Sequence, residues 1–240
     1  MNSGLYAACA GLLARNQSLD VAANNLANAS TNGYKGQSAS FRSLLAGDAS
    51  SETSDAVNDF GVLGASRIDL SQGTLEHTGS DYDFALEGEG WFSVQAGGQR
   101  LYTRNGNFHV DRSGQLVTAE GNAVLGAQGP ITLPPGKLSV SGDGTISVNG
   151  ALAGRLRVVQ LANTGQLRAV GGSYFSADGV NPEASTARIV QGSLEGSNVN
   201  PVTAAVGLVS LQRHADMLQQ ALTAFHSNFN RIAAQELSRI

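Results

Sequence analysis

The chain has 240 residues, 30 of them Gly, with 41% apolar residues, 14% charged residues and a formal net charge of −4. Charge this sparse excludes a charge-extended disordered polymer, and the 15 Lys and Arg residues form no basic cluster of the kind that binds nucleic acid. No apolar run approaches the ~20 residues of a transmembrane segment, and a single cysteine, Cys9, cannot make an intrachain disulfide.

The first segment carries Leu5, Leu12, Leu19 and Leu26 at unbroken seven-residue spacing. Cys9, Asn16 and Ala23 fill the companion positions, small and partly polar. The spacing predicts a helix from about Ser3 to Asn28. It stops at Asn28-Ala29-Ser30-Thr31-Asn32-Gly33, a cluster whose Asn and Gly tolerate left-handed geometry. No positive charge precedes the apolar stretch Tyr6 to Ala14, so it reads as helix and not as a cleaved signal peptide.

Residues 34–60 are small and polar, with Asp48 to Asp59 rich in Ser, Asp, Glu and Asn, and read as a flexible connector. From Gly61 to Gly196 the chain holds 24 of its 30 Gly. Gly at that density breaks helices, so residues 61–196 read as short strands and turns in a small all-β domain. Asn105-Gly106, between Leu101–Arg104 and Asn107–Val110, reads as a type I′ hairpin.

The last segment opens with Asn200-Pro201, an N-cap and a first-turn proline. Ala204, Leu211, Leu218, Phe225 and Ile232 then repeat every seven residues, and Leu208, Ala215, Leu222 and Phe229 fill the second seam. A helix from about Pro201 to Ser238 follows. The expected fold class is mainly β with long terminal helices: N- and C-terminal α-helices forming a coiled-coil or bundle domain (residues 1–33 with 197–240) plus the central all-β domain.

Catalytic chemistry finds little support in the residues. Asp81, Asp83, Glu87 and Glu89 read as a solvated strand edge and turn. His77, His109, His214 and His226 lack metal-ligand spacing. No nucleophile elbow or phosphate loop is present. The expectation is a non-enzyme without catalytic, metal or cofactor-binding residues.

Five ordered stretches carry a resemblance. Ala22-Ala23-Asn24-Asn25-Leu26-Ala27-Asn28-Ala29-Ser30-Thr31-Asn32-Gly33-Tyr34-Lys35 closely resembles the N-terminal signature of the bacterial flagellar rod and hook family. Gln72 to Thr78, Asp83 to Phe92 and Tyr102 to Phe108 are similar to its central motifs, and Gln191 to Asn200 to the motif that opens its last helix. Length and the single small β domain resemble the rod proteins more than the longer hook protein, the proximal type first and the distal type as near alternative.

The resemblance implies a structural subunit exported by the flagellar type III apparatus without a cleaved signal, polymerising with itself and with proximal and distal rod subunits. Its product is the periplasm-spanning drive shaft that transmits torque. Tube contacts would fall to Leu5, Leu12, Leu19, Leu26, Leu208, Leu211, Leu218, Leu222, Phe225, Phe229 and Ile232. The helix-end motif would comprise Asn24, Asn25, Asn28, Thr31, Gly33, Ser197, Asn198 and Asn200, with Asn24, Asn25 and Asn28 hydrogen-bonding at the helix end. The competing readings are a secreted β-rich binding module or adhesin on a coiled-coil stalk, and an enzyme that cuts peptidoglycan.

Overall fold

The computed structural model describes residues 2–44, 60–161, 164–177 and 179–237. The chain divides into two compact units, one of residues 1–26, 37–67 and 201–240, the other of residues 27–36 and 68–200.

The first unit contains α1 (Asn2–Ala27), a two-stranded sheet of β1 (Gln37–Leu44) and β2 (Phe60–Ile68), and α2 (Pro201–Leu237). β1 thus lies in the stretch read from sequence as connector, and residues 45–59 fall outside the described residues. The expectation of a coiled-coil or bundle domain is corrected. The described residues hold two α-helices, one at each end, and the remainder is mostly strand in several sheets. Among the described side chains of α1 the buried positions are Ala14 and Ser18, off the seven-residue seam, while seam residues Asn16 and Ala23 are exposed. Small and polar residues at those positions supply no knobs for a partner's holes. Ser18 instead donates its hydroxyl to the Ala14 carbonyl at 2.9 Å, one turn back.

The second unit is antiparallel throughout. It begins with β3 (Leu75–His77), β4 (Phe84–Glu87), β5 (Trp91–Ala96), β6 (Gln99–Thr103), β7 (Phe108–Val110), β8 (Leu116–Thr118), β9 (Ala123–Gly126) and β10 (Gly129–Pro130). The meander of β11 (Leu138–Val140), β12 (Thr145–Val148) and β13 (Ala151–Arg155) follows. Then come β14 (Val158–Leu161), β15 (Leu167–Gly171), β16 (Tyr174–Ala177), β17 (Pro182–Ala184), β18 (Arg188–Gln191) and β19 (Ser193–Glu195). β5 is central: β6 covers one edge, while the other is shared by β14 at Trp91–Phe92 and β9 at Val94–Gln95. Two partners on one edge turn the sheet around the apolar residues of β5. The returning strands β18 and β19 close back onto β4 and β3.

Two buried clusters fill this unit. Phe84, Phe92 and Phe108 anchor the larger, with Phe92 and Phe108 edge-to-face at 5.3 Å. Trp91 and Phe175, 5.0 Å apart, anchor the smaller. Such aromatic pairs add about 0.5–1.5 kcal/mol beyond their burial.

Asn105-Gly106 is not a hairpin. β6 pairs with β5 and β16, and β7 pairs with β8. Instead the chain leaves β6 to meet Asp83 and Phe84: Asp83 bridges Asn107, and the Phe84 N–H donates to the Gly106 carbonyl at 3.0 Å. Gly is required because a Cβ there would stand 1.8 Å from the Phe84 carbonyl oxygen. The Asn-Gly hairpin lies at Asn149-Gly150, joining β12 to β13 with Val148 opposite Ala151. Both residues have positive φ, 52° and 83°, as a type I′ turn demands.

Gly106→Ala is therefore expected to cost about 3 kcal/mol or more, because the clash is with backbone that cannot move aside. Gly154→Ala, which meets nothing within 4 Å, is expected to change stability by less than about 1 kcal/mol. Urea unfolding followed by the fluorescence of Trp91, the single tryptophan, checks both.

Candidate functional site

The residues that follow α1 and those that precede α2 meet inside the second unit. Gly33, Tyr34, Lys35 and Gly36 are all buried. The centre is the Glu195 carboxylate at the end of β19, wholly buried with Lys35. Lys35 Nζ donates to Glu195 Oε1 at 2.6 Å and to the Ser71 carbonyl at 2.7 Å. The Gly73 N–H also donates to Oε1, at 3.0 Å. Arg104 Nη1 donates to Glu195 Oε2 at 3.0 Å, and its Nη2 to the Gly88 carbonyl at 2.8 Å. The Arg104 guanidinium lies 5.6 Å from the centre of the Trp91 ring. Burial is the largest influence on Lys35 and pushes its ammonium below the usual lysine range, against the opposing pull of Glu195. Burial likewise raises the Tyr34 phenol.

Backbone bonds reinforce the side chains. The Gly33 N–H donates to the Glu195 carbonyl at 2.7 Å. Gly33 has φ of +68°, and a Cβ there would stand 2.1 Å from the Asn105 amide nitrogen. Gly33 thus lies flat on the Arg104–Asn105 backbone, and no other residue fits.

Asn198 does the same for the next residues. Its Oδ1 accepts the Gly36 N–H at 2.8 Å, and its Nδ2 donates to the Asp69 carbonyl at 2.9 Å and the Ser71 carbonyl at 3.2 Å. Ser197 Oγ accepts the Val199 N–H at 3.1 Å, a local turn. Asn200, exposed, stands immediately before α2.

Among the α1-end residues, Asn25 lies in the first unit. Its amide brackets Gln37, accepting that N–H at 2.8 Å and donating to that carbonyl at 2.6 Å. Asn28 Oδ1 accepts the Thr31 hydroxyl at 3.2 Å, and the Asn28 carbonyl accepts the Thr31 N–H at 3.0 Å. Asn24 is exposed on α1.

The structure does not gather the leucines into this site. Leu12, Leu19, Leu26, Leu208, Leu211 and Leu222 are half-buried on the helices, and Leu218 is exposed. The side chains of Leu5, Phe225, Phe229 and Ile232 lie outside the described residues.

Sequence reasoning named Gly33 and Asn198 but passed over Lys35, Glu195 and Arg104 as functional residues. Scarcity was the available signal: the chain has two lysines, and Lys35 sits inside a signature stretch. Asp83, read as solvated, is buried, accepting the Thr78 hydroxyl at 2.6 Å and the Asn107 amide at 2.9 Å. Every stretch that carried the family resemblance contributes here or beside it: residues 31–35, 72–78, 83–92, 102–108 and 191–200.

Family models match most of these stretches, residues 72–78 excepted. Residues 5–35 match the flagella basal body rod protein model, 85–148 the flagellar hook protein FlgE/F/G D1 domain, and 190–235 the flagellar basal body rod FlgEFG protein C-terminal domain. The FlgF rod protein of Salmonella typhimurium is 35% identical over 228 residues, covering 88% of this chain and 89% of that protein. The FlgF protein of Caulobacter vibrioides is 33% identical across the whole of both chains. The chain belongs to the flagellar basal-body rod protein family. Within it the chain is of FlgF type. The FlgG rod protein of Agrobacterium fabrum, 31% identical over 91% of this chain and 94% of its own, is a further relative. The family is structural, and the buried cluster is built accordingly: both Glu195 oxygens are engaged by protein donors.

Glu195→Ala should destabilise the second unit by about 3–5 kcal/mol, because it leaves two buried cations without their carboxylate. Asp143→Ala, which breaks an exposed pair with Arg155 at 3.7 Å, should shift the unfolding midpoint far less. Equilibrium urea unfolding of both variants tests the contrast.

Proposed function

We propose that this chain is a proximal subunit of the flagellar rod that polymerises through its terminal helices, with copies of itself and with neighbouring rod subunits. The observation that carries this reading is the pairing of a buried ionic anchor with a helix that leaves apolar residues exposed. The Glu195 cluster holds the residues flanking both helices, while α2 leaves Val202, Val206, Val209, Met217 and Leu218 exposed. Exposed apolar residues at helical spacing are a docking surface in need of burial. The tube contacts assigned to the terminal leucines and to Phe225, Phe229 and Ile232 belong to this proposal.

Torque transmission across the periplasm belongs to this proposal as well. Export through the flagellar type III apparatus without a cleaved signal also belongs to the proposal. Among the described residues no helix is long and apolar enough to cross a membrane. The adhesin reading is not favoured, because rod-protein relatives match 88% and 100% of this chain. A distal-rod place remains the alternative that the FlgG relative supports.

Leu218→Asp puts a charge at an exposed position of the seven-residue seam of α2 and is expected to abolish incorporation into basal bodies without altering urea unfolding of the β unit. Electron microscopy of basal bodies from cells carrying this variant, beside cells lacking the gene and cells carrying the intact gene, measures it. Rods that end near the inner-membrane ring in the first two are expected. Complete rods in cells lacking the gene would overturn the proposal.

A further inference from the structure

α2 is apolar on two opposite sides. Ala204, Leu208, Leu211, Ala215 and Leu222 form the side that is buried or half-buried. Val202, Val206, Val209 and Met217 form the other, roughly 180° away at about 100° per residue. These four are 49–69% exposed. An ordinary surface helix carries polar residues there; one apolar on both sides is a buried helix that has lost its second neighbour. Val206, Val209, Arg213, His214 and Met217 line a shallow groove on this side.

α1 offers a matching surface. Leu13, Asn16, Asp20, Ala23 and Ala27 are exposed and share one side of that helix. Asp20 is its one acidic residue. Among the described residues, neither Asp20 nor Arg213 has an ion-pair partner inside the subunit. Set antiparallel with Asp20 against Arg213, Ala27 falls opposite Val206, Ala23 opposite Ser210 and Asn16 opposite Met217. Small residues facing β-branched ones allow close helix approach. A parallel alignment on the same ion pair instead puts Asn16 on Val209 and Ala23 on Asp216.

We infer that the Val202–Val206–Val209–Met217 face of α2 receives the exposed face of α1 from a second copy of this chain, with the Asp20–Arg213 pair fixing the register. Both faces are exposed within one subunit, so the pairing joins copies. The inference rests on the rod-subunit reading and names the surface and partner that it uses. It adds an intersubunit contact on the side of the helix opposite the seven-residue seam.

The test is a charge swap in the full-length protein, scored by its amount in purified basal bodies. Asp20→Arg and Arg213→Glu alone are each expected to lower incorporation by about tenfold, because like charges then face one another in a desolvated contact. Combined, they restore the pair and are expected to bring incorporation back to within about threefold of the unaltered chain. Unchanged urea unfolding of each single variant, read at Trp91, excludes misfolding as the cause of a loss. Normal incorporation of both single variants, or no recovery in the double variant, overturns this pairing while leaving the rod role standing. Absence of the unaltered chain from basal bodies overturns the rod role and the pairing together.

Discussion

A carboxylate with no solvent exposure must be met by cations and donors, and Glu195 meets its own from three distant parts of the chain. Lys35 lies 160 residues before it, Gly73 122 and Arg104 91. An isolated buried charge costs several kcal/mol, so the arrangement is tightly specified: shift one segment and the others lose their counter-charge. The remaining features follow from this constraint. Gly33 is bare because Lys35 draws the chain onto the Arg104–Asn105 backbone. Gly106 is bare because the same stretch must then pass under Phe84. Asn198 lies close to the point where α2 begins, and its amide closes the gap to Gly36 and Asp69.

The two units divide the work by their chemistry. The β unit buries most of its own apolar side chains, with aromatic clusters, antiparallel ladders and a carboxylate engaged by protein donors. The helices do not. Isolated helices owe most of their stability to the packing of an apolar face, and α2 has more apolar face than its own subunit covers. A subunit built this way keeps a stable body while its ends gain stability on assembly.

The helices were legible in the sequence because period and punctuation are local. Seven-residue spacing, Asn200-Pro201 and the Asn28–Gly33 turn placed both helices within a residue or so of their observed limits. What those helices pack against was not legible: regular leucines say that a face is apolar, not that the two faces meet as a bundle. Asn105-Gly106 was misread for a related reason. Asn-Gly is the residue pair that a type I′ turn favours, but at 105–106 the glycine serves a close approach to Phe84, and the genuine turn is at Asn149-Gly150. The charge cluster was the least visible. Lys35, Arg104 and Glu195 sit in separate stretches, and no local pattern links residues so far apart. The family resemblance marked their neighbourhoods without saying that they touch.

The central claim is that Glu195 couples the segments after α1 and before α2 to the β unit. Native-state hydrogen exchange in Glu195→Gln tests it most directly, comparing amides at the cluster with amides in the sheet. The account predicts that the Gly33, Gly36 and Gly73 amides speed up together, by about 100-fold, as one local opening unit. The amides of Val94 and Leu101 should slow-exchange nearly as before. Acceleration of Gly73 alone, or an equal change at every amide, would contradict it, because the segment after α1 and the segment at Gly73 would then not be held by one carboxylate.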